Sequence, residues 1–305
     1  MTNYVLLMLL SSSCGVAGTV VSKTIQRQQG TVSMATSMFI IVECGLIGTA
    51  FLYIYNGEWL PAVTPFSFWM ATLATILSNC TMPLTFRIMQ IAEISVYKLF
   101  CTLGGLLLPY LFGVFCLNEA VTVANMIGLL LLLTALVVPT VAEIVKSGAM
   151  IDRKRITEFY VLCTLCCLAS SAATIVCKLH HMNTVYEKST TLVFSMLSYF
   201  MGAVVAGGIL LFLCLRKKQK IQMTSGNRKW FLPVAYMIES TFNAFAYYLN
   251  MTCSANLPAS VLAVISTGFS LIMTTLAAWI FFREKPTIMI AGSMAVTIAA
   301  IVLLS

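Results

Sequence analysis

The sequence predicts an all-α polytopic membrane protein of ten transmembrane helices in an inverted 5+5 repeat, and three observations predict it. Composition is the first: of 305 residues, 60% are hydrophobic and only 9% charged, outside the range of soluble globular domains. The second is the length of the apolar stretches, roughly 20 residues each, enough to cross the hydrocarbon layer as helices. Backbone groups left unpaired there cost several kcal/mol apiece, and the period-two alternation of a barrel is absent, so helices are the expected elements. The third is that the second half repeats the pattern of the first.

Apolar runs punctuated by Pro, Gly, Asn and charge place helices at 3–22, 34–55, 66–86, 94–117, 121–139, 158–178, 190–213, 231–250, 258–282 and 287–304. The N-terminal "MTNYVLLMLLSSSCG" has no basic leader and runs straight into "VAGTVVSK", so it reads as a first span rather than a cleaved signal. Pro258 and Pro286 stand where helices begin, since a missing N–H costs nothing in a first turn. Trp59, Trp69, Trp230 and Trp279 lie near helix ends, as interfacial anchors do. The longer connection "TVAEIVKSGAMIDRKRITE" divides the chain into a five-helix unit at 1–140, a connecting loop at 141–157 and a second unit at 158–305.

The repeat is visible in short matches. The first helix ends "GTVVSK" at Lys23 and the sixth "ATIVCK" at Lys178, each after a run of small polar residues, "SSSCGVAG" and "LASSA". The fourth helix opens "ISVYKLF" and closes "LNEA"; the ninth opens "ASVLAVI" and closes "FREK", so one offset matches Ser95 to Ser260 and Glu119 to Glu284. Each glutamate is followed by a helix bearing a glycine, Gly128 or Gly292. A unit with an odd number of spans obliges its second copy to enter the membrane from the opposite face, which inverts the repeat.

The net charge of +8 comes from clusters such as "DRKR" and "RKKQK" beside apolar runs, a pattern for anionic lipid surfaces and topology, not nucleic acid. Apart from Lys98, Lys178 and Lys188, all 18 Lys and Arg residues fall at the ends of odd helices or in the loops that follow them. By the positive-inside rule that side is cytoplasmic and both termini lie outside. The eleven cysteines sit mostly inside apolar runs and read as small packing residues. Cys163 and Cys166 have a ligand-like spacing, but no second pair accompanies them and His180 and His181 are expected in the following loop, so no metal or cofactor is expected.

Intramembrane ionisable groups are costly unless paired or facing water, so they are candidate functional positions. Glu43 lies in mid-helix in "FIIVECGLIGT" and Glu239 in "AYMIESTFNAFAYY"; either could bind a cation or carry a proton, or could serve only packing. Asn243 follows Glu239 by one helical turn and shares its face. Asn79, in "ILSNCTMPL", occupies nearly the equivalent place in the third helix; both amides could line a cavity or bond across helices. Lys98 could meet a substrate anion or snorkel to the interface. Glu119 and Glu284 stand at helix ends, where each is expected to cap the first amides of the next helix. Pro109, Gly128 and Gly292 complete this helix-and-turn set, with prolines and glycines allowing kinks and close approach.

With "GTVVSK", "LLLPYLFGVFCLNEAVTVANMIG" and "TTLAAWIFFREKPTIMIAGS" at their expected places, the chain resembles the ten-helix members of the drug/metabolite transporter superfamily, the EamA-type permeases. That resemblance implies a multi-pass carrier of a bacterial plasma membrane with cytoplasmic termini, opposite to the charge-based orientation. It implies alternating access to a small-molecule substrate held between the halves, with room for proton or ion coupling. The superfamily spans amino acids, nucleotide sugars, sugars, purines and cationic drugs, so it leaves the substrate open, and the sequence does not choose between monomer and homodimer. The chain departs from the pattern at Thr274, which lacks the proline that Pro109 supplies in the first copy, and at Lys98, where Ala263 stands in the second.

An intramembrane enzyme is disfavoured, because Asp152 is the sole aspartate and no H-E-x-x-H occurs. A non-transporting scaffold or lipid-interacting protein is the remaining alternative, and it needs no polar cavity at mid-membrane.

Overall fold

The computed structural model describes residues 2–29, 34–59, 61–88, 94–119, 122–147, 156–216, 231–282 and 288–304. Among them are ten helices and no strand: α1 (Thr2–Gln29), α2 (Met34–Asn56), α3 (Pro65–Ile88), α4 (Ile94–Cys116), α5 (Val123–Ser147), α6 (Ile156–Met182), α7 (Thr191–Arg216), α8 (Phe231–Asn256), α9 (Ala259–Phe282) and α10 (Ile288–Leu304). Five stretches within them are long and apolar enough to cross a membrane, in α1, α2, α6, α7 and α9. Large apolar side chains such as Ile54, Phe115, Leu215 and Ile280 face outward and exposed, the arrangement expected when lipid covers the outer surface.

Local chemistry sets the helix starts. Thr64, Thr122 and Thr190 each turn a side-chain oxygen to an amide three residues on, at Ser67, Asn125 and Val193, the N-cap arrangement. Pro65 then occupies the first position of α3. At the other end, α2 stops at Gly57, whose φ of +70° is open to glycine at no steric cost. Helix α8 runs six residues beyond the predicted 250, and only Leu257 and Pro258 separate it from α9.

The helices pair mainly across the two halves. Helix α1 lies along α8 while α6 lies along α3; α2 pairs with α7, α4 with α9 and α5 with α10. Exchanging every helix for the one five places away maps this set of pairs onto itself. The partners run antiparallel: Leu52 packs near Val193 whereas Met38 packs near Leu213, and Ser67 meets His180 whereas Arg87 meets Glu158. Two equivalent helices that pack antiparallel are what an inverted repeat requires.

Helices α2 and α7 approach closely. A Cβ placed on Gly45 would fall 2.9 Å from the carbonyl oxygen of Tyr199 and 2.9 Å from the Cβ of Ala203, and one on Gly48 would fall 2.6 Å from the Tyr199 ring. Small residues let backbones touch where no hydrophobic effect drives helices together. The largest core cluster joins α4 and α9 through Leu106, Tyr110, Leu262 and Ile265, with Met8 and Leu132 beside them.

Candidate functional site

A cavity of about 990 Å³, its apolar wall studded with hydroxyl and amide groups, is lined by residues of both halves of the chain. Helix α1 contributes Ser11, Ser12, Gly15 and Thr19, and α8 contributes Asn243, Asn250 and Ser254. Gly105, Pro109 and Phe112 of α4 face Ser266, Ser270 and Thr274 of α9, with Thr174 and Lys178 of α6 and Tyr199 of α7 completing the wall. Equivalent positions of the two halves meet here. The offset relating Lys23 to Lys178 also relates Thr19 to Thr174, and the one relating Glu119 to Glu284 relates Pro109 to Thr274; all four of these inner residues line the cavity.

At Lys178 in the cavity wall, and at Glu119 nearby, opposite charges are set on helix termini. The ammonium of Lys178, itself buried, donates to the backbone oxygens of Ser254, at 2.7 Å, and Leu257, at the end of α8. Those carbonyls carry the negative end of the α8 dipole. Two residues further, the amides of Ala259 and Ser260 donate to Glu119 at 2.6 and 3.0 Å, and the Ser260 hydroxyl donates to it at 2.7 Å. Each helix end thus receives the side-chain charge that its dipole favours.

The cap on α9 departs from the expectation that Glu119 serves the helix following it. Thr122 already caps α5, and Asn118, at φ +50°, turns the chain so that Glu119 points across to α9. Gly113 leaves the space: a Cβ there would lie 2.7 Å from the carboxylate. The counterpart Glu284 and the side chain of Lys98 lie outside the described residues.

Just beyond Lys178 along α6, that helix shares a hydroxyl and imidazole network with α3 and α7. His180 and His181 are not in a loop; α6 extends through both, and both are buried. The Ser67 hydroxyl accepts from the Ser189 amide and from Thr64 Oγ1, at 2.8 and 2.9 Å, which leaves its proton for Nε2 of His180 at 2.8 Å. That assigns the ring proton of His180 to Nδ1. Phe66 and Phe194 stack on the ring from either side, at 5.7 and 3.9 Å between centroids.

Of the residues singled out in the sequence, Asn243 and Pro109 line the cavity. Glu43 and Glu239 do not; they flank Cys44 in the region where α2 meets α8, and both act electrostatically on it. There the Ser240 hydroxyl donates to the Cys44 carbonyl at 2.6 Å, tying the two helices together. Asn79 is buried in α3 outside the cavity lining. Gly128 is buried in α5 and Gly292 exposed in α10, each inside its helix. Cys163, Cys166 and Cys167 are buried and not disulfide-bonded, and the described residues hold no cluster of three metal-ligating side chains. Sequence reasoning used Lys178 only to mark a helix end; its place in the apolar stretch of "TIVCKLHH", apart from the basic clusters, was the available signal.

The C-terminal half matches the EamA-like transporter family over residues 159–305. A solved structure, described only as the crystal structure of a protein, superposes on 97% of this chain and 97% of its own with a TM-score of 0.72 at 16% identity. At that identity the likeness is one of fold, and it spans all ten helices. No curated protein matches the sequence. The family is one of membrane transporters.

Proposed function

We propose that this protein is a secondary transporter that moves a small metabolite by alternating access, with two five-helix repeats, 1–140 and 158–305, framing one central site. The observation that carries the reading is the cavity of about 990 Å³ to which repeat-equivalent residues, Thr19 with Thr174 and Pro109 with Thr274, contribute together. A site on the pseudo-twofold axis can be reached from either face when the repeats exchange conformations. A scaffold has no use for such a cavity, since each polar wall group inside the membrane costs free energy without a ligand or water.

Coupling to a proton or cation is assigned to the region where α2 meets α8. Two carboxylates, Glu43 and Glu239, lie within electrostatic reach of Cys44 in that region, and a proton or cation taken up by either would neutralise a charge that the membrane interior disfavours. The test is uptake into proteoliposomes. Glu43→Gln and Glu239→Gln are expected to lose gradient-driven accumulation while keeping exchange of internal for external substrate. Full accumulation by both variants would exclude this coupling site, and an absence of uptake by the unaltered protein for every solute class tried would exclude the transporter reading.

A further inference from the structure

Resting on the transporter reading, we infer that the central cavity takes a polyhydroxylated, non-cationic metabolite of the sugar class. The first argument is charge. Among the described lining residues Lys178 is the charged group, and no carboxylate accompanies it. Glu119 is occupied by the two α9 amides and the Ser260 hydroxyl and does not reach the lining. An organic cation entering this space would lose its hydration without meeting a counter-charge among the described lining residues, and would lie beside the Lys178 ammonium. A zwitterionic amino acid fares little better, since its carboxylate could meet Lys178 but its ammonium would have no partner.

The second argument is the direction of the hydroxyl groups. Thr19 gives its proton to the carbonyl of Gly15 at 2.9 Å, Thr274 to Ser270 at 2.6 Å and Thr275 to Leu271 at 2.9 Å, while Ser11 donates across to Ala246 at 2.8 Å. With its one proton committed, each hydroxyl can offer only lone pairs to the cavity. Acceptors at these four positions suit a ligand that brings donors, and a wholly apolar ligand would leave them desolvated and unpaired. Hydroxyl groups on the ligand satisfy them without importing positive charge.

The third argument is where donors do occur. Asn243 and Asn250 stand seven residues apart on the cavity face of α8, about 10 Å along the helix, and each amide both donates and accepts, as vicinal hydroxyls do. Lys178 carries three N–H donors, two of them held by Ser254 and Leu257. The remaining one suits a sugar hydroxyl or the oxygen of a sugar phosphate. The volume lies within the range of pockets that enclose drug-sized ligands.

The experiment uses the full chain purified in detergent, with thermal stability measured against four probes: a neutral hexose or disaccharide, a hexose phosphate, an amino acid and a quaternary ammonium compound. At saturating probe a sugar or sugar phosphate is expected to raise the melting temperature by about 3 °C or more. Asn243→Ala should weaken both sugar probes by roughly tenfold, and Lys178→Met should weaken the phosphorylated probe selectively, which separates the two sources of the hydroxyl chemistry. Stabilisation by the amino acid or the ammonium compound without the sugars, or by no probe, overturns the inference, and neither result depends on a variant folding. Uptake into proteoliposomes separates this inference from the one it rests on. A sugar that binds but is never carried contradicts the transporter reading alone, whereas a cation that is carried contradicts the substrate class alone.

Discussion

The carboxylate of Glu119 accepts hydrogen bonds from both the amide and the hydroxyl of Ser260, at 3.0 and 2.7 Å, and so joins the end of α4 to the start of α9 in the other half. With the Ala259 amide at 2.6 Å, the carboxylate satisfies the first donors of α9 and stands within electrostatic reach of Lys178. Glu119→Ala removes a charged cap and the counter-charge to a buried ammonium together. The expected cost is roughly 2–3 kcal/mol, read as a lower midpoint of thermal or denaturant unfolding in detergent. Ser260→Ala should then add little, because the pair acts as a unit.

Gly113 makes that contact sterically available. A Cβ at this position would lie 2.7 Å from Oε2 of Glu119 and 3.1 Å from its Cδ, with the Cβ of Ala259 at 3.3 Å. Gly113→Ala must therefore push the carboxylate off the α9 amides, at an expected cost of about 1–3 kcal/mol. In a Glu119→Ala background the obstructed group is gone, so most of that cost should vanish. A double-mutant cycle measures this directly, and simple additivity would mean that Gly113 serves something other than the cap.

How much of this was legible in the sequence varied with the range of the interaction. Helix existence was legible throughout because desolvation of the backbone in lipid dominates every local preference, and the ten helices appear where the apolar runs are. Their ends were less so: α6 continues through His180 and His181 because Ser67, more than a hundred residues earlier, satisfies an imidazole that looks like a loop residue in isolation. The chemistry of Glu119 was legible, a carboxylate at a helix terminus, but its partner helix was not. Choosing α9 over α5 depends on the left-handed turn at Asn118 and the vacancy at Gly113, and both are tertiary facts. Charge drew attention to Glu43 and Glu239, whereas the polar groups of the cavity wall are mostly serine and threonine hydroxyls, which in an apolar sequence are indistinguishable from ordinary packing residues. The repeat, read from short matches, was the better guide to it, since equivalent positions converge on the axis.

The α2 and α7 contact separates two glycines that look alike in the sequence. At Gly45 an added Cβ meets backbone, the Tyr199 oxygen at 2.9 Å and the Ala203 nitrogen at 3.0 Å, and backbone can yield only if the helices part. At Gly48 it meets the Tyr199 ring, at 2.6 Å, and a ring can pivot. Gly45→Ala is expected to destabilise by about 1–3 kcal/mol or more and Gly48→Ala by less. The order of the two unfolding midpoints checks the assignment, and a reversed order would mean that the ring is the more rigid obstacle.

Gly18 separates binding from folding. A Cβ there would fall 2.5 Å from Oδ1 of Asn243 and 2.9 Å from its Cγ, so an alanine at this position competes directly with the cavity amide. The obstruction is the far end of a side chain rather than backbone, and a carboxamide can rotate away at a cost of about 1 kcal/mol. Gly18→Ala should therefore leave the unfolding midpoint nearly unchanged while displacing the amide from its position in the cavity. If Asn243 binds substrate through both its donor and its acceptor, losing that orientation weakens affinity by roughly 1–2 kcal/mol, about five- to thirtyfold in KM. Pairing the variant with Asn243→Ala completes the argument, since affinity lost through the amide alone cannot be lost twice. A Gly18→Ala protein with normal stability and normal KM would show that substrate does not depend on the orientation of Asn243.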